Sequence, residues 1–179
     1  MTLVEQIITL HRHLSDGGIA HAFGGALALA WCTERARATI DIDVNLFVEA
    51  AAAELALRCL PADIEVAEQD RAAIARDGQT RLWWGETPVD LFFNTTPFHD
   101  QASRRARLER FGGADVPFLA CGDLAVFKAF FNRTKDWADL EEMAAAGSLD
   151  TQEVLGILVE YLGGADDRIE RLRQLGTTG

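Results

Sequence analysis

From Ile40 to Leu46 the chain reads Ile-Asp-Ile-Asp-Val-Asn-Leu, apolar and polar residues changing places at every step. A period of two belongs to a β-strand with one face on a core. The segment 39–48 therefore predicts a strand with Ile40, Ile42 and Val44 turned inward. Asp41 and Asp43 then share the opposite face. A lone strand buries little, so this one needs partner strands and covering helices from the rest of the chain.

Candidates for those partners lie on both sides. Helical spacing runs over 4–14 and stops at Asp16-Gly17-Gly18, a C-terminal signal. A short strand is expected at 19–23, then Gly24-Gly25 and an alanine-rich helix over 26–31. A helix at 49–59, a strand at 64–66 and a short helix at 70–76 follow. Segments 79–85 and 88–93 read as paired strands around Glu86-Thr87. Thr96-Pro97 suits an N-cap and first helical residue, starting a helix to about residue 105. Short strands are expected at 108–111 and 116–119. Beyond Gly122 the pattern is helical: 123–131, 135–146 after Thr134, a helix from Asp150 with Glu153 in capping-box position, and 166–175. The expected fold class is mixed α/β (α+β), a small mixed sheet flanked by helices with a C-terminal helical part. Residues 1–112 would hold the sheet and residues 113–179 the helical part, packed on it as one compact unit.

Composition narrows the function. Hydrophobic residues make up 49% of 179 residues and charged residues 25%, an ordinary globular range. No apolar run reaches the roughly 18–20 residues of a membrane span. Residues 1–14 carry Glu5, His11 and Arg12 in an amphipathic pattern, unlike a secretory leader, so a cytoplasmic location is expected. Cys32, Cys59 and Cys121 are far apart with no C-x-x-C and read as reduced structural thiols. His11 and His13 do not share a helix face, which argues against zinc. The net charge of −11 disfavours broad binding of phosphate backbones. Arg104, Arg105, Arg107 and Arg110 form a local basic cluster, most simply a solvated face. Neither G-x-S-x-G nor a Walker A motif occurs.

The acids are the unusual feature. Two carboxylates side by side on one strand face repel unless something positive joins them. Magnesium, a hard cation usually shared with substrate phosphates, suits them. Asp90 sits between Val89 and Leu91 in an apolar strand, where an ionised carboxylate costs free energy unless paired or metal-bound. If the two strands are neighbours, three carboxylates converge as ligands for a two-metal site. Gly24-Gly25 between strand and helix would let phosphate approach the backbone at a helix N-terminus.

Gly24-Gly25-Ala26-Leu27-Ala28-Leu29 followed by Arg37-Ala38-Thr39-Ile40-Asp41-Ile42-Asp43-Val44 resembles the G-G/S…D-x-D signature of the polymerase-β-like nucleotidyltransferase superfamily. Asp90 in Val89-Asp90-Leu91-Phe92 matches the third carboxylate. Lys128 and Arg133-Thr134-Lys135-Asp136-Trp137-Ala138-Asp139-Leu140 resemble motifs of its AbiEii/AbiGii toxin-like branch. The resemblance spans residues 20–142. It implies that Asp41, Asp43 and Asp90 bind two Mg2+ ions, with Asp90 also a general base. It implies that Gly24, Gly25 and Arg37 contact the nucleotide. Lys128 would neutralise transition-state phosphate charge, and Asp136 would hold the catalytic geometry; Asp139 is more simply an ion-pair partner. The chain is short for the branch, and Gly25 stands where a serine is usual.

Three functions follow as expectations. The first is an NTP-using, magnesium-dependent nucleotidyltransferase acting on an acceptor hydroxyl, possibly of tRNA, in a toxin–antitoxin or phage-defence setting with a cognate antitoxin as partner. The second is transfer to a small molecule, as in aminoglycoside-modifying enzymes, where an acidic protein suits a cationic acceptor. The third is a catalytically silent binding or antitoxin module, which would be free to lose its acids.

Overall fold

The computed structural model describes residues 1–176. Its contacts group into two units: Met1–Leu27 with Ala38–Leu119, and Ala28–Arg37 with the residues from Ala120 onward.

The first unit holds a six-stranded sheet. Its strands are β1 (His21–Phe23), β2 (Ile42–Glu49), β3 (Gln79–Trp84), β4 (Thr87–Asn94), β5 (Arg107–Phe111) and β6 (Ala114–Phe118), in the order β3-β4-β2-β1-β6-β5. The β1–β6 and β2–β4 pairs are parallel and the other three antiparallel. The parallel β2–β4 pair is the structural reason the acids can meet: it sets Asp43 directly against Asp90. Ile42, Val44, Val89 and Leu91 are fully buried around them, each contributing roughly 1.5–3 kcal/mol of hydrophobic stabilisation.

Helix α1 (Leu3–Asp16) opens with a capping box, in which Thr2 Oγ1 accepts from Glu5 N–H and Glu5 Oε2 accepts from Thr2 N–H. It buries Gln6, Ile7, Leu10 and Leu14 on one face. Gln6 is the polar member of that face. Its amide donates to the Trp84 carbonyl and accepts from Thr87 Oγ1, which ties α1 to the β3–β4 hairpin.

His21 on β1 is buried, with Nδ1 2.7 Å from the Ile19 carbonyl and Nε2 2.9 Å from His11 Nδ1. The carbonyl fixes the proton on Nδ1, so Nε2 must accept from His11. Burial pushes the His21 pKa down from 6.5 to about 4, with the Ile19 carbonyl opposing the shift and His11 adding to it. The unfolded chain therefore takes up a proton near pH 6.5 that the folded chain refuses until about pH 4. Stability is complete above pH 6.5 and is lost as the pH falls towards 4, by about 3 kcal/mol. Urea unfolding at pH 7 and pH 4.5 should show a loss that is clearly smaller in a His21→Gln variant; equal losses would contradict the assignment.

Several expected elements differ. Strand β2 begins at Ile42, and Ile40, expected inward, is 75% exposed. Strand β1 ends at Phe23, opposite Val44, so Ile40 has no strand partner on that side. The expected helix at 49–59 is a 3-10 turn at Ala50–Ala52 and one turn, α3 (Glu54–Leu57). Residues 64–66 form no strand, although Ile64 is buried. Helices α4 (Glu68–Asp77) and α5 (Phe98–Arg105) follow expectation to within a few residues. The sheet runs on to Phe118, so a boundary at residue 112 would fall inside the β5–β6 hairpin.

Helix α2 (Gly25–Thr33) begins in the first unit and ends in the second. The second unit adds α6 (Cys121–Phe131), α7 (Thr134–Ala145), α8 (Thr151–Leu162) and α9 (Asp167–Gly176). Asn132, left-handed at φ 56°, ends α6, and its Oδ1 accepts from the indole N–H of buried Trp137 at 2.7 Å. Arg171 lies over the same indole at 4.4 Å. Asp150 caps α8 by accepting from the Gln152 and Glu153 N–H groups.

The cysteine expectation needs correction. Cys32 and Cys121 form a disulfide with Cα atoms 5.6 Å apart, and Cys59 is free. Their separation of 89 positions hid the pairing, because spacing in sequence says nothing about which helix ends meet.

Candidate active site

The register of the sheet brings charges into one row. Arg81 on β3 faces Asp90 on β4, and Asp90 faces Asp43 on β2. Residues directly opposite share a sheet face, so the row presents a guanidinium and two carboxylates together. Asp41 lies just before β2, with its backbone N–H donating to Thr39 Oγ1. Its carboxylate still reaches the row. Arg81 Nη2 stands 3.3 Å from Asp41 Oδ2 and 2.7 Å from Asp90 Oδ2, and its Nε stands 2.7 Å from Asp90 Oδ1. The fork on Asp90, reinforced by the charges of Asp90, Asp41 and Asp43, holds the Arg81 pKa above its ordinary value against the cost of burial.

The glycine pair borders the same acids. Gly24 N–H donates to the Asp43 carbonyl at 2.9 Å. Gly25 opens α2 with φ +54°, and a Cβ there would lie 1.9 Å from Asp43 Oδ2. Any larger residue would strain the backbone and evict the carboxylate. The absence of a side chain thus lets Asp43 sit against the first residue of a helix, where unpaired backbone N–H groups favour anions.

The donor chemistry of Asp41, Asp43 and Asp90 fits a hard divalent cation, since all three are carboxylates. The cation they gather here is a guanidinium. Among the described residues, no group of three or more His, Cys, Asp or Glu side chains is arranged as a ready metal site.

The remaining expected residues meet in the second unit. Lys128 is buried in α6, with Nζ 2.6 Å from Asp139 Oδ2 and 4.0 Å from Asp136 Oδ1. Arg37 donates to the other oxygen of Asp139, which raises the Arg37 pKa. Asp136 accepts from the Arg133 backbone N–H and from its guanidinium Nε at 2.6 Å. Lys128, Asp136 and Asp139 are thus the buried part of one ionic network, which Arg37 and Arg133 close from its half-exposed rim. As a phosphate ligand, Lys128 would have to give up Asp139.

The residue that sequence reasoning missed is Arg81. The signal was the hairpin turn. Placing it at Glu86-Thr87 pairs Trp83 with Asp90; the observed turn at Gly85-Glu86, with Gly85 at φ +62°, pairs Arg81 with Asp90 instead. Trp83 is 54% exposed, whereas its neighbour Trp84 is buried.

No protein-family model matches the sequence, and no curated protein matches it. Solved structures do. A solution structure of the antibiotic-resistance factor ANT(2'')-Ia aligns over 98% of this chain and 97% of its own, with TM-score 0.57 and 12% identity. A crystal structure of ANT(2'')-Ia in complex with adenylyl-2''-tobramycin aligns over 90% and 97%, with TM-score 0.61 and 14% identity. An antigenic nucleotidyltransferase-like protein from Paracoccidioides brasiliensis aligns over 96% and 92%, with TM-score 0.52 and 17% identity. The six-stranded mixed sheet and its flanking helices are the fold of nucleotidyltransferase-like proteins.

Proposed function

We propose that this protein transfers a nucleoside monophosphate from an NTP to an acceptor hydroxyl. The observation that supports it most is the row Arg81–Asp90–Asp43 with Asp41 alongside, bordered by Gly25. Carboxylates gathered this closely are unfavourable for the fold alone and useful beside a polyphosphate. Asp41, Asp43 and Asp90 would hold a pair of Mg2+ ions. Bound there, these would neutralise phosphate charge and make the acceptor hydroxyl a better nucleophile.

The chain's own groups account for the rest. Gly24 and Gly25 leave the backbone open to the triphosphate at the start of α2. The acceptor oxygen attacks the α-phosphorus in line, the bond to the β-phosphate oxygen breaks, and pyrophosphate leaves. Asp90 takes the hydroxyl proton. A part in transfer for Arg37, Lys128 and Asp136 rests on the resemblance alone; within the second unit Lys128 pairs with Asp139, which also takes Arg37, and lies 4.0 Å from Asp136.

For the acceptor, the toxin-like resemblance points to RNA such as a tRNA end, with a cognate antitoxin as a further partner. A specific observation favours a small cationic acceptor instead. The net charge is −11, and Arg107 and Arg110 of the basic cluster are paired with Glu109 and Asp115, which leaves less positive charge for a phosphate backbone. A cationic aminoglycoside, the class seen adenylylated in the ANT(2'')-Ia complex, suits such a surface. The cytoplasm remains the proposed compartment because the co-substrate is an NTP. No described helix is long and apolar enough to cross a membrane. The Cys32–Cys121 bond is the feature in tension with that compartment, where thiols are kept reduced.

The experiment is incubation with α-labelled NTPs and Mg2+, offering total RNA in one arm and an aminoglycoside panel in the other. Label in either acceptor supports nucleotidyl transfer and names its class. Stable NTP with both acceptor classes, under conditions where the protein is folded, would count against it.

A further inference from the structure

We propose that Arg81 is a resident counter-cation of the acid cluster, one that a divalent metal ion must displace. The inference rests on the nucleotidyltransferase reading and concerns how its site is kept before substrate arrives. Asp43 and Asp90 lie directly opposite on adjacent strands, where like charges destabilise the sheet. Arg81 answers that repulsion. It grips Asp90 through both Nε and Nη2 and reaches Asp41 with the same Nη2. The oxygens it takes belong to the carboxylates a metal would use.

The geometry also lets it leave. Strand β3 is at the edge of the sheet, and the Arg81 side chain is 48% exposed. Withdrawing it moves a half-exposed side chain and not a core one. A planar guanidinium released from Asp90 keeps its fork, and that fork matches phosphate oxygens as well as carboxylate oxygens. Arg81 thus holds the acids together when no metal is present and passes to the triphosphate when metal and NTP arrive together. Metal alone meets a competitor; metal carried by NTP meets an exchange of partners.

A purely structural arginine predicts the opposite response to mutation. Losing a scaffold cation would let the acids splay and weaken metal binding, whereas losing a competitor strengthens it. Manganese(II) reports this without turnover, since the paramagnetic resonance signal of the free ion falls as it binds. Without nucleotide, Arg81→Gln should bind Mn2+ roughly ten- to a hundredfold more tightly than the unaltered protein, from the loss of two charged hydrogen bonds. Arg81→Lys keeps the charge and loses the fork, so its affinity should fall between the two. It also decides the matter should the glutamine variant fail to fold. Equal affinity in the unaltered protein and the variants, or weaker binding in the variants, would overturn the proposal while leaving the functional reading intact. No Mn2+ binding by any of these proteins, with or without NTP, would overturn both.

Discussion

Replacing Asp139 with alanine is expected to cost about 3 kcal/mol or more of folding stability, among the largest effects of any single substitution in this chain. Asp139 and its partner Lys128 are 7% and 6% exposed. Without Asp139, the Lys128 ammonium stays inside with Asp136 at 4.0 Å as its remaining acid, and Asp136 is already engaged by Arg133. A buried charge that loses its partner retains its desolvation cost and gives up its attraction. Lys128→Met should cost clearly less, because Asp139 keeps Arg37 and a methionine fills the space of the lysine stem. Equilibrium urea unfolding of the three proteins checks this. Equal losses would show that Arg37 does not satisfy Asp139.

Asp43→Ala has the opposite profile: turnover lost by on the order of a thousandfold or more, with little loss of stability. The carboxylate is set against Asp90 in the ladder and against Gly25 at the start of α2. Removing it relieves repulsion across the β2–β4 pair while taking a ligand from the proposed metal site. Asp41→Ala should behave alike, since its link to the row is a partly exposed contact of 3.3 Å to Arg81, and such ion pairs contribute little to folding. A nucleotidyl-transfer assay beside a melting curve separates the two effects. Full activity in either variant would remove that acid from the mechanism.

The two aspartates bear on what could be read beforehand. Alternation from Ile42 to Leu46 marked β2 and put Asp43 on the face away from the core, because a buried strand face tolerates few register errors. It over-reached at Ile40, which is exposed; alternation is local, and β1 ends opposite Val44. Asp90 stood out as a charge in an apolar strand, and the parallel pairing with β2 supplied the convergence that the sequence could only make conditional. Arg81 stayed hidden because one arginine on an exposed strand carries no sign of its partner, and a one-residue shift of the hairpin turn moves it out of register. Cys32 and Cys121 stayed hidden for the same kind of reason, a meeting of helix ends 89 residues apart. Lys128 was conspicuous in its apolar helix, but the acids that surround it lie on the next helix and only tertiary packing reveals them.

If Asp41, Asp43 and Asp90 act together on a metal–nucleotide complex, nucleotide binding needs both the metal and the acids. Calorimetric titration with an NTP analogue bearing a methylene between the α- and β-phosphates reads that directly, because the analogue binds and cannot react. Saturable binding in Mg2+ that disappears in EDTA, and equally in folded Asp43→Asn and Asp90→Asn proteins, is the result expected. Binding of the same strength in EDTA, or in both variants, would contradict it.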